Sequence, residues 1–145
     1  MVESNLYERD FFAWANQQAA LLRSGNLSQA DIRNIAEEIE SMGRTEKREL
    51  VSRLTVLLMH LLKWQFQPER RGRSWLSTIT IQRHALADHL ADNPSLKSTL
   101  DQALVRAYED GRLGAIGETD LPESLFPAEC PWSFEKITNT GFWPE

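Results

Sequence analysis

Three histidines, one cysteine and several runs of charge are the residues of this chain that could do chemistry. His60 lies inside the apolar run that opens MHLLKWQFQPERRGRSW, residues 59–75. At ~100° per helical residue it falls on the stripe Glu49, Arg53, Val56 and Trp64, at the edge of a buried face. A histidine there could serve as a base or a metal ligand. Either task needs a nucleophile or a second ligand, and the sequence near His60 supplies neither. The expectation is a structural ring beside Trp64, held by one hydrogen bond to a carboxylate or carbonyl of the preceding helix. A catalytic His60 is the alternative.

The same stretch sets Lys63, Arg70, Arg71 and Arg73 among Trp64, Phe66 and Trp75. Cations interleaved with aromatic rings are what phosphate contact and base stacking require. The charge balance argues against nucleic acid: the chain carries −5 overall, distributed as −2 over residues 1–59, +3 over 60–90 and −6 over 91–145. A nucleic-acid-binding domain usually shows a net basic footprint. The expected arrangement is one of Arg70, Arg71 and Arg73 over a tryptophan face, worth about 0.5–1 kcal/mol when exposed. The acidic C-terminal third would neutralise the rest. Lys63, Trp64, Arg70, Arg71, Arg73 and Trp75 are therefore the residues marked for anion or partner binding.

Metal and thiol chemistry find less to work with. Di-metal carboxylate bundles use Glu-x-x-His, and no such motif occurs here. In EEIE the three carboxylates of Glu37, Glu38 and Glu40 diverge around a helix, and Glu37 is four residues from Arg33, the spacing of an exposed ion pair. A metal shared by His60 with Glu38 or Glu40 is a remote third reading. His84 and Asp88 are also four apart but point away from the apolar stripe, as a surface pair. Cys130, in ECPW, has no base beside it and reads as an inert packed thiol. No metal or other cofactor is expected.

These residues need elements to hold them. Apolar spacing predicts helices over 7–23, 29–42, 46–67, 75–91, 95–113 and 133–138, and nothing alternates as a strand. Gly25 and Gly43 are read as helix stops, Ser28, Thr45, Ser74 and Asn93 as N-caps, and Pro94 as a first helical residue. The stripe Ile32, Ile35, Ala36, Ile39 and Met42 is expected to face a core. The 46–67 helix is apolar on most sides and should be the central one. The resulting expectation is an all-α single domain, 1–145, a bundle of about five helices with an extended C-terminal segment whose Phe142 and Trp143 pack down.

At 145 residues, 41% hydrophobic and 26% charged, the chain has the composition of an ordinary globular domain. One cysteine excludes an internal disulfide and suits a reducing compartment. The N-terminus lacks the layout of a secretory signal, and no stretch reaches the roughly 18 apolar residues of a membrane span. A cytoplasmic location with no membrane contact is expected.

The segments YERDFFAWANQQAALLRSG, NIAEEIESMG, RELVSRLTVLLMHLLKWQFQPERR, NPSLKSTL, AYEDGR, FPAECPW and FWPE, in this order, resemble a small bacterial family, domain-of-unknown-function family 29. The likeness covers nearly the whole chain. It implies a mainly helical bacterial domain and transfers no activity and no catalytic residue. The function expected from the residues is a non-enzymatic interaction module that binds a protein partner or itself. Tryptophan and arginine near charged turns are common interface anchors. The alternative is nucleic-acid binding or processing through Lys63, Arg70, Arg71 and Arg73.

Overall fold

The structure, a computed structural model, describes residues 3–145. Among these the chain is all-helical, without strands: α1 (Glu3–Arg9), α2 (Phe11–Arg23), α3 (Ile32–Phe66), α4 (Arg73–Asp92), α5 (Leu100–Thr119) and α6 (Phe134–Thr138), joined by short 3-10 turns. It divides into two compact units, Met1–Thr45 and Glu46–Glu145.

In the first unit the helix expected over 7–23 is broken at Asp10. The backbone there leaves the helical region (φ −146°, ψ 82°), and the carboxylate accepts the Ala13 N–H at 3.1 Å, capping α2. Aspartate is a strong N-cap because its short side chain satisfies an otherwise orphaned amide. Periodicity alone reads straight through it. Gly25 ends the segment in the left-handed region, φ 74°, as expected. Ser28 does not cap the next helix. Its hydroxyl turns to Asn26, while Asp31 accepts from the Asn34 amide and α3 begins at Ile32.

Burial in this unit is organised by polar contacts. The Trp14 indole N–H donates to Asp31 Oδ2 at 3.0 Å, and Gln18 Oε1 accepts the Asp31 amide at 2.6 Å. Tyr7 stands edge-on to Trp14, and its hydroxyl donates to Glu38. Asp31 and Glu38, seven residues apart, thus fix which side of α3 meets Trp14 and Tyr7. Of the stripe expected to be core, Ile35 is half-buried and the rest is exposed. Ile32, Ile39 and Met42 are 54%, 62% and 69% exposed.

The two helices expected at 29–42 and 46–67 are one, the 35-residue α3. Gly43 does not stop it. A helical glycine costs about 0.5–1 kcal/mol relative to alanine but ends a helix only by turning left-handed, and Gly25 is the sole described glycine that does so. Thr45 is not a cap either, since its hydroxyl donates back to the Ser41 carbonyl at 3.0 Å.

The second unit holds the core. Leu50, Leu54, Leu57, Leu58, Leu61 and Leu62 of α3 are fully buried, which makes this the central helix as read from the sequence. Ile79, Leu86 and Leu90 of α4, Ala103, Ala107, Tyr108 and Ala115 of α5, and Phe126, Trp132 and Ile137 beyond complete the cluster. The α4 N-cap is Gly72 rather than Ser74, without a side-chain cap bond. Residues Pro94–Thr99 form a 3-10 segment rather than the start of the fifth helix. Asn93 gives no side-chain cap there, because its amide nitrogen donates to the His89 carbonyl.

The α5 helix then runs past Gly111 to Thr119, beyond the end expected at 113. That glycine marks a close approach: a Cβ there would sit 3.1 Å from the Thr55 carbonyl oxygen and 3.2 Å from the Met59 nitrogen. Beyond α5 the chain is largely extended. Ser133 caps α6 through the Lys136 amide, and Phe142 and Trp143 pack against the core.

Candidate functional site

His60 donates from Nδ1 to the Val56 carbonyl, 2.8 Å away on its own helix, not to a group of the preceding segment. Burial pushes its pKa below the ordinary value, and the neighbouring Lys63 adds to the effect. The ring is held by a single hydrogen bond, within α3 rather than to the preceding helix.

The six residues marked around the basic turn do not form one site. Lys63 is buried, its ammonium donates to Glu118 Oε1 at 2.7 Å, and it stands 5.0 Å from the centre of the Trp75 ring. The hydrogen bond from Lys63 holds the Glu118 carboxyl below the usual range against a smaller opposing effect of burial. Arg71 lies over Trp64 at 5.1 Å, the expected stacking, and donates to the carbonyls of Trp64 (2.7 Å) and Pro144 (3.3 Å). Trp64 in turn meets Trp143 at 4.8 Å, and a cleft of about 430 Å³ opens beside Trp64, Pro68, Arg71, Trp143 and Pro144. Arg70 and Arg73 project into solvent.

Neutralisation by the acidic C-terminal third is therefore only part of the answer. Arg83, buried in α4, donates to the carbonyls of Ile137 and Phe142, both at 2.8 Å, and lies 5.2 Å from the Trp143 ring centre. Arg112 donates to the carbonyls of Glu123, Phe126 and Pro127. Arginine forks gripping main-chain oxygens hold the C-terminal segment, and a five-donor planar group is suited to that.

Elsewhere the sequence readings fare unevenly. Glu37 pairs with Arg44 at 3.2 Å. His84 and Asp88 are exposed. The Cys130 thiol donates to the Trp132 carbonyl at 3.3 Å, and burial raises its pKa. A second, apolar cleft of about 440 Å³ lies along Leu104, Tyr108, Cys130 and Trp132. The Tyr108 hydroxyl donates to the Pro127 carbonyl, and burial pushes its pKa up to about 12.

One group escaped the sequence reading. Glu46 and Glu49, a turn apart on α3, meet His89 of α4 with one ligand atom from each within 4.8 Å of the others. His89 is 7% exposed. Its Nε2–H donates to the Glu46 carbonyl at 2.8 Å, and its Nδ1 faces Glu49 Oε2 at 3.6 Å. Arg53 donates to the same Glu49 oxygen at 2.9 Å, and that bond is the main reason the Glu49 carboxyl lies below its ordinary range. Neither Glu38 nor Glu40 joins a set of this kind among the described residues. The available signal was the spacing Glu-x-x-Glu, which places both carboxylates on one helical flank.

The described residues are all-helical, with no helix among them long and apolar enough to cross a membrane. The chain belongs to the family described as Domain of unknown function DUF29, whose model matches residues 6–143. No curated protein and no solved structure matches it.

Proposed function

We propose that this protein is a non-enzymatic interaction module that pairs with a second copy of itself through its first unit. The observation that carries this reading is the apolar stripe left uncovered on α3. Ile32, Ile39 and Met42 recur at seven and three residues, two a positions and a d position of a heptad, and all three are exposed. Such spacing is the pattern by which helices pair with helices, and β-branched Ile at a favours two strands. Phe12 of α2 is 77% exposed, and Leu22 and Leu27 are exposed in the same unit. Large apolar side chains exposed in this unit while Gln18 is buried support a binding surface there. A two-fold pairing presents one patch to its own image and closes without leaving a free end.

The nucleic-acid reading draws less support. Lys63 and Arg71 are engaged within the chain, and only Arg70 and Arg73 of the four cations face solvent. The lone cysteine suits a reducing, cytoplasmic setting.

Light scattering coupled to size-exclusion chromatography tests the pairing. The wild-type chain should run with twice the monomer mass, and the double variant Ile39→Glu, Met42→Glu as a monomer of unchanged helicity. A wild-type chain that stays monomeric at hundreds of micromolar overturns self-pairing, as does a double variant that still dimerises.

A further inference from the structure

We propose that Glu46, Glu49 and His89 form a binding site for one divalent transition-metal ion, with zinc as the reference ion. The inference does not depend on self-pairing, since it concerns different residues.

The histidine is set up as a ligand. A carbonyl can only accept, so the bond to the Glu46 carbonyl places the imidazole proton on Nε2 and leaves the lone pair of a neutral ring on Nδ1. Metal-binding histidines are commonly arranged this way, with the distal N–H fixed by a carbonyl or carboxylate. Nδ1 is the ring nitrogen that faces Glu49. Its distance of 3.6 Å from Glu49 Oε2 is close to the roughly 3.4 Å edge of a tetrahedron with bonds of about 2.1 Å.

A second observation is independent of the histidine. Glu46 Oε2 is buried and has no hydrogen-bond partner among the described residues. Buried carboxylate oxygens are normally paired or bound to a metal. An ion pair between a protonated His89 and Glu49 would leave that oxygen orphaned, whereas a cation between the three groups satisfies it. The separations in the set, all within 4.8 Å, come down to a tetrahedral edge by at most about 1.4 Å of carboxylate movement.

The donor set selects the class of ion. One imidazole and two carboxylates suit zinc, iron(II) or manganese better than a purely oxygen-loving calcium. Three protein donors leave a position for water. Arg53 bonds to Glu49 Oε2 and reaches Gln82 Oε1 at 3.4 Å, which orients the carboxylate from outside. Its positive charge opposes the ion and limits the affinity.

The test uses the full chain, stripped with chelator and titrated with zinc chloride alone by calorimetry and by thermal melting. One equivalent should bind per chain. At a hundredfold excess over Kd the melting temperature should rise by about 5–10 °C. His89→Gln and Glu46→Gln should each weaken binding at least tenfold, and His84→Gln, at an exposed histidine of the same helix, should bind as wild type. His89→Gln also disturbs the bond to the Glu46 carbonyl, so Glu46→Gln is the decisive variant. Metal-free, it should melt no lower than wild type, because the oxygen it replaces has no hydrogen-bond partner to lose. Absence of stoichiometric binding, or a Glu46→Gln chain that binds zinc like wild type, overturns the proposal.

Discussion

Arg83 joins α4 to two main-chain oxygens, 54 and 59 residues further along the chain. Both bonds are charge-assisted, and the one to Ile137 is buried. Arg83→Ala should therefore destabilise the protein by about 2–4 kcal/mol, measured by urea denaturation, and Arg83→Lys should recover only part of that because an ammonium lacks the planar fork. His60 supplies a pH signature. Its folded-state pKa lies below the ordinary 6.5, so the unfolded chain takes up that proton first. The stabilisation by the neutral ring is complete above pH 6.5 and is lost as the pH falls toward the lower folded value. His60→Gln should flatten the decline in melting temperature on going from about pH 7 to about pH 5. Glu118 acts in a more acid window, below its ordinary 4.5. The sequence made the stacking of an arginine on a tryptophan legible but not which pair it would be, nor the carbonyl acceptors, because every residue carries the same carbonyl and only the fold selects among them. His89 was hidden from Glu46 and Glu49 for the same reason: forty residues of chain separate groups that only the packing of α4 on α3 brings together.

Helix existence was easier to read than helix ends. The 3.6-residue period found the central Leu-rich helix and α4, since burial imposes that period directly. It failed at Asp10 and Gly43, and it stopped short of the end of α5 beyond Gly111, where the outcome depends on backbone conformation and on what lies opposite. The two glycines should respond in opposite directions to alanine. At Gly43 an added Cβ meets nothing within 4 Å, so Gly43→Ala should stabilise by about 0.5–1 kcal/mol through helix propensity. At Gly111 it would press on the backbone of α3, so Gly111→Ala should cost about 1–3 kcal/mol as overpacking. Paired thermal melts decide both, and like signs would contradict this account of the two glycines.

At the scale of the molecule, every member of the hydrophobic core cluster lies at or beyond Leu50, inside the second unit. A chain beginning at Glu46 should accordingly keep a cooperative thermal transition and its near-ultraviolet dichroism. A non-cooperative melt would show that this core does not sustain itself. Order in the second unit also has a direction in time. The arginine grips on the C-terminal segment join residues up to 73 apart, whereas the helical ladders are local. Closing so long a loop is entropically slow and is rewarded late. The grips should thus be absent from the folding transition state, and loosening them, as in Arg83→Ala, should accelerate unfolding while leaving the refolding rate nearly unchanged. The segment they hold sets how long the native state lasts more than how fast it is reached.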